Sequence, residues 1–243
     1  MLEKKFIDVH NHILPGVDDG ACNMEDTIAM LQIAYDEGIR TIICTPHHHP
    51  RRGCESIETL QKTYQLVKQE IDKLQLDIEL YLGCEIYFDD EVIDNLKQGN
   101  ILTMNNTKTR LLEFLPNENY IYMHNVIKRL QMEGYQVILA HFERYACLVN
   151  HEDNVEDLYT MNVLLQINAG SILGEYGRTI ERFVDRMLKE KLVDLVGSDA
   201  HNQNYRSPRM KEAYQYVSKK YGEQYANEIF YQNAFKLLTH NKE

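Results

Sequence analysis

The sequence predicts an α/β fold of parallel strands joined by helical crossovers. Three observations carry this. Short apolar, β-branched runs alternate with longer stretches of helical periodicity about seven times along the chain. No Pro/Gly/Ser-rich linker or low-complexity tract interrupts the alternation. The residues with unusual chemistry fall at or just past the C-terminal ends of the strand-like runs, the face on which parallel α/β barrels build their sites. At 243 residues, the chain suits one barrel-sized domain, 1–243.

The first strand and its turn run Phe6-Ile-Asp8-Val-His10-Asn-His12-Ile-Leu-Pro-Gly-Val-Asp-Asp19-Gly20. Strict alternation puts Asp8, His10 and His12 on one strand face, with Asp8 expected to orient a histidine. Asn23 caps a helix over Met24–Glu37, and Gly38 ends it. Arg40–Cys44 is an apolar strand ending in Thr45-Pro46-His47-His48-His49. Ser56–Leu74 is an amphipathic helix, and Ile78–Leu82 is a strand ending at Gly83-Cys84-Glu85. A short helix near Glu91–Leu96 precedes the strand Thr109–Phe114, which carries Glu113.

Tyr122–Glu133 is helical and stopped by Gly134, and Gln136–Ala140 is a strand delivering His141-Phe142-Glu143-Arg144. Val163–Asn168 is a strand, Thr179–Lys189 a helix, and Leu192–Val196 the last strand, leading to Ser198-Asp199-Ala200-His201. From Pro208 onward the pattern is helical, with Tyr214, Tyr216, Tyr221, Tyr225 and Tyr231 at packing positions.

Composition narrows the function classes. The net charge is −11 with no basic tail, which argues against nucleic acid as a partner. No apolar stretch is long enough to span a bilayer, and no signal peptide precedes the first strand, so a cytoplasmic location is expected. The five cysteines are odd in number and scattered, as free thiols in a reducing compartment would be. None starts the C-x5-R loop of a cysteine-dependent phosphatase: after Cys44, Arg51 falls one position too late.

The candidate metal ligands are His10, His12, Asp19, His47, Glu85, Glu113, His141, Asp199 and His201. A nitrogen and oxygen set without thiolate suits manganese, iron, zinc or magnesium. Nine donors exceed the needs of one ion, so two or three ions sharing carboxylates are expected. With three divalent ions the pocket is net positive despite its four carboxylates, and it attracts a phosphate dianion. Closely spaced ions also activate water and clamp an in-line displacement. Arg144 and Arg206 lie just past His141 and His201, where a guanidinium can grip phosphate oxygens at two points. Phosphomonoester hydrolysis is the reaction class that follows, with Arg144, Arg206, Asp199 and His201 as its catalytic residues. Arg51 and Arg52 are expected to be solvated, His48 and His49 to lie on the surface or to support the ligands from behind, and His124, His151 and His240 to lie on the surface.

At these residues the sequence resembles the PHP (polymerase and histidinol phosphatase) family. The nearest likeness within it is to the manganese-dependent protein-tyrosine phosphatases of bacterial capsule and exopolysaccharide operons, the CpsB/YwqE type. It runs through Asp8-Val-His-Asn-His-Ile-Leu-Pro-Gly-Val-Asp-Asp19-Gly, Thr45-Pro-His47, Gly83-Cys-Glu85, Leu112-Glu113-Phe114, Ala140-His141-Phe-Glu-Arg144 and Ser198-Asp199-Ala-His201-Asn. Phe142 and Cys84 depart from the usual pattern.

The resemblance implies a distorted TIM-like (β/α)7 barrel. It also implies three divalent ions, Mn2+ first, with Fe, Zn, Co or Mg as alternatives. His10, His12, Glu85 and Asp199 would hold one ion. Glu85, Glu113 and His141 would hold a second, and Asp19, His47 and His201 a third. Arg144 and Arg206 match the phosphate-binding arginines. The implied substrate is the phosphotyrosine-bearing tail of a bacterial tyrosine kinase. A small-molecule phosphomonoesterase of the histidinol-phosphatase kind is the alternative, and a regulatory metal-binding module without turnover is the rival of another class.

Overall fold

The structure, a computed structural model, describes residues 5–49 and 51–240, the side chain of His240 excepted. Its strands are β1 Phe6–Asn11, β2 Ile39–Cys44, β3 His47–His48, β4 Glu79–Leu82, β5 Glu85–Tyr87, β6 Thr109–Glu113, β7 Gln136–Leu139, β8 Leu164–Asn168 and β9 Leu195–Gly197. Every pairing between them is parallel. One sheet has the order β1-β2-β4, the other β3-β5-β6-β7-β8-β9. Helices cover the outer face, as parallel strands require.

The two sheets are joined by chain continuity. β2 runs into β3 across Thr45-Pro46, and β4 runs into β5 across Gly83-Cys84. Pro46 has no N–H to donate, so the ladder breaks there. The crossing still holds, because Glu85 N–H donates to Pro46 O at 3.0 Å and Gly83 N–H to Cys44 O at 2.7 Å. On the other side β9 meets β1: Asp199 N–H donates to His10 O at 2.8 Å, and His12 N–H to Ala200 O at 2.9 Å.

The strand β1 departs from plain alternation. Asp8 pairs with Ile42, yet Asn11 pairs with Cys44, so β1 spends one more residue than β2 over this stretch. Asp8 therefore shares the outer face with Asn11, whose Nδ2 donates to Asp8 Oδ2 at 2.7 Å. His10 and His12 point inward. The expectation that Asp8 leaves the strand with the histidines is corrected by this bulge, and Asp8 instead accepts from Ser198 N–H (2.8 Å) and Ser198 Oγ–H (2.6 Å).

Two apolar clusters hold the fold. The larger lies between sheet and helices. The smaller fills the interior with Ile7, Val9, Ile43, Leu111, Ile138 and Leu195, and Leu237 and Leu238 of the helix Asn233–His240 complete it. Asn233 Nδ2 donates to Asp194 O just ahead of β9, at 3.0 Å. The last helix thus stoppers the N-terminal strand ends, opposite the candidate ligands.

Several boundaries differ from the sequence reading. β3 and β5 are strands where only strand ends were expected, so His47 and Glu85 gain a backbone ladder. The last strand starts at Leu195, and Asp194 just before it binds Leu165 twice, its N–H donating to Leu165 O at 2.9 Å and its carboxylate accepting from Leu165 N–H at 2.8 Å. Helix Asp153–Thr160 was not anticipated: two turns leave too few apolar repeats to read. Among the described residues, no helix is long and apolar enough to cross a membrane.

Candidate metal centre

All nine candidate ligands meet at the C-terminal ends of the strands. Glu85 is the hub. Its Oε2 lies 3.2 Å from His10 Nε2, 3.3 Å from His12 Nε2 and 3.0 Å from His47 Nδ1, and its Oε1 lies 2.8 Å from His141 Nε2. Glu113 reaches His47 Nδ1 at 3.5 Å. Asp19 Oδ1 lies 3.1 Å from His47 Nε2 and 3.3 Å from His201 Nε2. Asp199 Oδ1 lies 3.6 Å from His10 Nε2. All are buried except Asp19, which stands at the rim.

Backbone geometry is spent on this arrangement. His141 and Asp199, each just past a strand end, take left-handed φ values of 33° and 52°. Non-glycine residues rarely hold such values, and those that do cluster at functional sites. The turn at each position swings the side chain from the strand line into the mouth.

Hydrogen bonds fix how three imidazoles face the cluster. Gln166 Nε2 donates to Ile167 O (2.7 Å) and Asn168 Oδ1 (3.0 Å), so its Oε1 is an acceptor. His10 Nδ1, 3.1 Å from that Oε1, therefore carries the proton, which leaves the Nε2 lone pair aimed inward. Asp18 Oδ2 does the same for His12 at 2.7 Å, and Asp199 O for His201 at 3.0 Å. In that state His10 Nε2 and His12 Nε2 set two lone pairs 3.1 Å apart, beside a carboxylate oxygen. A proton or a cation must sit between them.

Further atoms of the cluster lack partners. Both ring nitrogens of His47, Glu85 Oε2, Glu113 Oε1 and His141 Nδ1 are buried with no hydrogen bond of acceptable geometry. Buried polar atoms left this way are costly, and divalent cations resolve the cost. Three ligand groups have donor atoms mutually close enough to share an ion: His12-Asp19-His47-His201, His10-His12-Glu85 and His47-Glu85-Glu113. The residues fit divalent metal.

Without cations, protons would take their place. Burial depresses the His10 and His47 imidazoles, but Glu85 leads the carboxylates that outweigh it and push them up to about 9 and about 10. Burial wins at His141 and His201, both held down to about 4. Burial and the neighbouring Glu85 raise the Glu113 carboxyl to about 7. One buried cluster thus holds imidazoles displaced in opposite directions.

Arg144 and Arg206 converge on Asp199, Arg206 Nη2 at 2.7 Å from its Oδ1 and Arg144 Nη1 at 3.3 Å from its Oδ2. Each keeps about a third of its side chain open to the mouth. Arg52, expected to be solvated, lies with Nη1 at 3.5 Å from Glu113 Oε2. Of the two positions open to His49, the structure has the supporting one: it is buried against Tyr87, ring centroids 4.4 Å apart, with the His47 ring 6.2 Å away. His151 is exposed, and His124 is half-buried and pairs with Asp157.

The supporting residues missed by sequence reasoning are Asp18, Gln166, Asn168 and Glu143. Asn168 Nδ2 donates to Asp199 Oδ2 at 2.8 Å, and Glu143 Oε1 accepts from Asn168 N–H (2.9 Å) and Ser171 Oγ–H (2.6 Å). Gln166 and Asn168 sit two apart on an otherwise apolar strand. That polar period of two was the available signal.

The family model for capsular polysaccharide synthesis, CpsB/CapC, matches residues 6–239. The chain belongs to the CpsB/CapC family. Tyrosine-protein phosphatase CpsB of Streptococcus agalactiae is 32% identical over 241 residues, 97% of this chain and 99% of that protein. Tyrosine-protein phosphatase YwqE of Bacillus subtilis is 33% identical over 245 residues, 98% of this chain and 90% of that one. A crystal structure from work on YwqE of Bacillus subtilis and CpsB of Streptococcus pneumoniae, described as unique metal-dependent tyrosine phosphatases, superposes with a TM-score of 0.90 at 31% identity, covering 97% of this chain and 95% of that one. The CpsB/CapC chain here therefore shares both fold and length with proteins of that name.

Proposed function

We propose that this CpsB/CapC protein is a metal-dependent protein-tyrosine phosphatase. The observation that carries the reading is the convergence of nine nitrogen and oxygen donors, with Arg144 and Arg206 beside them, at one strand-end mouth. The cofactor is three divalent ions, manganese first. His10, His12, Glu85 and Asp199 would hold one, Glu85, Glu113 and His141 a second, and Asp19, His47 and His201 a third. Bound there, divalent ions supply Lewis acidity toward phosphoryl oxygens and lower the pKa of water.

The protein's own groups do the rest. Arg144 and Arg206 bind the phosphoryl oxygens and orient the ester, each with about a third of its side chain exposed. Asp199 anchors both arginines, so the phosphate grip and the ligand set are fixed by one carboxylate. His201, neutral near pH 7, offers its Nε2 lone pair because Nδ1 is committed to Asp199 O. The buried wall of Gln166, Asn168 and Glu143 holds this geometry. The leaving tyrosinate needs little proton assistance, since a phenol is far more acidic than an alkyl alcohol.

The names of the CpsB and YwqE relatives support a phosphotyrosine substrate, and we read it as the phosphotyrosine tail of a tyrosine kinase controlling capsule or exopolysaccharide synthesis. The β2–β3 and β4–β5 continuities, with the β1–β9 contact, support reading the strands as a closed (β/α)7 barrel of the PHP type within a single domain. The test is a substrate panel with manganese-reconstituted protein. Phosphotyrosyl peptide is expected to turn over at least tenfold faster than histidinol phosphate at equal concentration. Preference for the small phosphate ester would shift the reading to a small-molecule phosphatase.

A further inference from the structure

A cleft of about 900 Å³ opens from the metal mouth between two short rims and is lined by Glu175, Tyr176, Asn204, Tyr205, Arg206 and Arg209. Arg206 is the link. Its guanidinium lies 2.7 Å from Asp199 at the inner end, and the same residue forms the cleft wall. The chain presents one tyrosine from each rim. Tyr205 is 89% exposed, the most exposed large apolar or aromatic residue among the described residues, and Tyr176 is 40% exposed. Two tyrosines lining one cleft offer ring faces and edges on which another ring can pack.

Both rims are held in place. The loop carrying Tyr205 closes on itself: Arg206 O accepts from His201 N–H at 2.8 Å and from Asn202 N–H at 3.1 Å, while Asn202 Oδ1 accepts from Asn204 N–H at 2.9 Å. Tyr176 sits on a turn in which Glu175 N–H donates to Gly170 O and Gly177 N–H to Gly174 O, each at 3.1 Å. Arg209 Nη2 to Glu175 Oε1, at 2.7 Å, ties one rim to the other. That pair offsets its own charges, and Arg206, itself paired with Asp199, is the guanidinium shared by the cleft wall and the metal mouth.

We propose that Tyr176 and Tyr205 form an aryl clamp that receives the ring of the substrate phosphotyrosine, with its phosphate delivered to Arg206 and Arg144. This rests on the phosphatase reading and deepens it: it names the residues that select an aryl ester over an alkyl one. A ring entering between the rims gains offset or edge contacts with two aromatic faces and a guanidinium. A phosphoserine side chain has no surface to offer there. The clamp acts on substrate binding, so its signature is in KM more than in kcat.

The experiment compares phosphotyrosyl and phosphoseryl peptides of identical flanking sequence on metal-loaded wild type, Tyr205→Ala, Tyr205→Phe and Tyr176→Leu. For Tyr205→Ala we expect a rise in KM of about tenfold for the phosphotyrosyl peptide, with kcat within about twofold, and a matching loss of the aryl-over-alkyl preference. Tyr176→Leu should fall in the same direction, and Tyr205→Phe should keep the preference, since the ring and not the hydroxyl does the selecting. An active wild type whose KM for the phosphotyrosyl peptide stays within about twofold in both Tyr205→Ala and Tyr176→Leu overturns the clamp and leaves the phosphatase reading standing. If no ester is turned over, the phosphatase reading fails, and calorimetric binding of the two peptides decides the clamp separately. At least tenfold tighter binding of the phosphotyrosyl peptide, erased by Tyr205→Ala, supports it, and equal binding overturns it.

Discussion

His10 and His47 carry the electrostatic character of the mouth. In metal-free protein their imidazoles are held up to about 9 and about 10, burial opposing and Glu85 and its fellow carboxylates prevailing. An unfolded imidazole titrates near about 6.5. Folding therefore gains from these protons fully below about pH 6.5, and the gain is lost as pH rises through about 9 to 10. Metal needs the deprotonated ligands, so cation binding strengthens over the same window. Scanning calorimetry should show the chelated protein melting at progressively lower temperature from pH 7 to pH 10, while the increment from added Mn2+ grows. A chelated melting temperature that stays level or climbs across that window contradicts this electrostatic account. At this scale the sequence marked the candidate ligands but not their supports. Asp18 and Asp19 are adjacent carboxylates, and only the fold shows that Asp18 takes His12 Nδ1 while Asp19 faces His47 and His201. Arg52 was illegible because its partner, Glu113, is far away in sequence.

Strand segments set which side chains enter the mouth. The pattern Asp8-Val-His10-Asn-His12 fits perfect alternation, yet the extra residue in β1 turns Asp8 outward and keeps both histidines inward. Nothing in a one-letter pattern marks that bulge, since Val9 is equally at home paired or bulged. Register fixes everything downstream of it. β9 passes so close to β1 that a Cβ on Gly197 would stand 2.7 Å from His10 Cβ and 3.2 Å from Gln166 Nε2. Gly197→Ala must push the strands apart or turn His10 from Gln166. We expect a loss of roughly 1–3 kcal/mol in stability and at least a tenfold fall in phosphatase rate, because Asp199 follows two residues later. Unchanged melting and rate in that variant would show that the β1–β9 approach does not position the site. Element type was legible wherever an apolar run was bounded by Gly, Pro or an Asn or Ser cap, as at Asn23 and Ser56. The two-residue β3 and three-residue β5 were too short to show a period at all.

Across the whole molecule, function follows from a division of ends. The helix Asn233–His240 packs Leu237 and Leu238 against the interior cluster and is tied to the start of β9 by Asn233, so apolar packing covers the N-terminal strand ends. The C-terminal ends are then free to carry a polar cluster that no hydrophobic packing could hold together. The CpsB/CapC chain is acidic overall, with a net charge of −11, yet divalent ions would make this one mouth attractive to a phosphate. The distribution of His and carboxylates at strand ends was legible because a core strand has no other use for them. The contact of β1 with the chain just past β9 was not, because it depends on two backbone hydrogen bonds between residues nearly 190 positions apart. The measurement that bears most directly on the account is anomalous diffraction at the manganese edge from crystals grown with Mn2+. It should give peaks within bonding distance of Glu85 and its neighbours His10, His12, His47, Glu113, His141, Asp199 and His201. A fully active crystal form with no anomalous peak among those residues would contradict it.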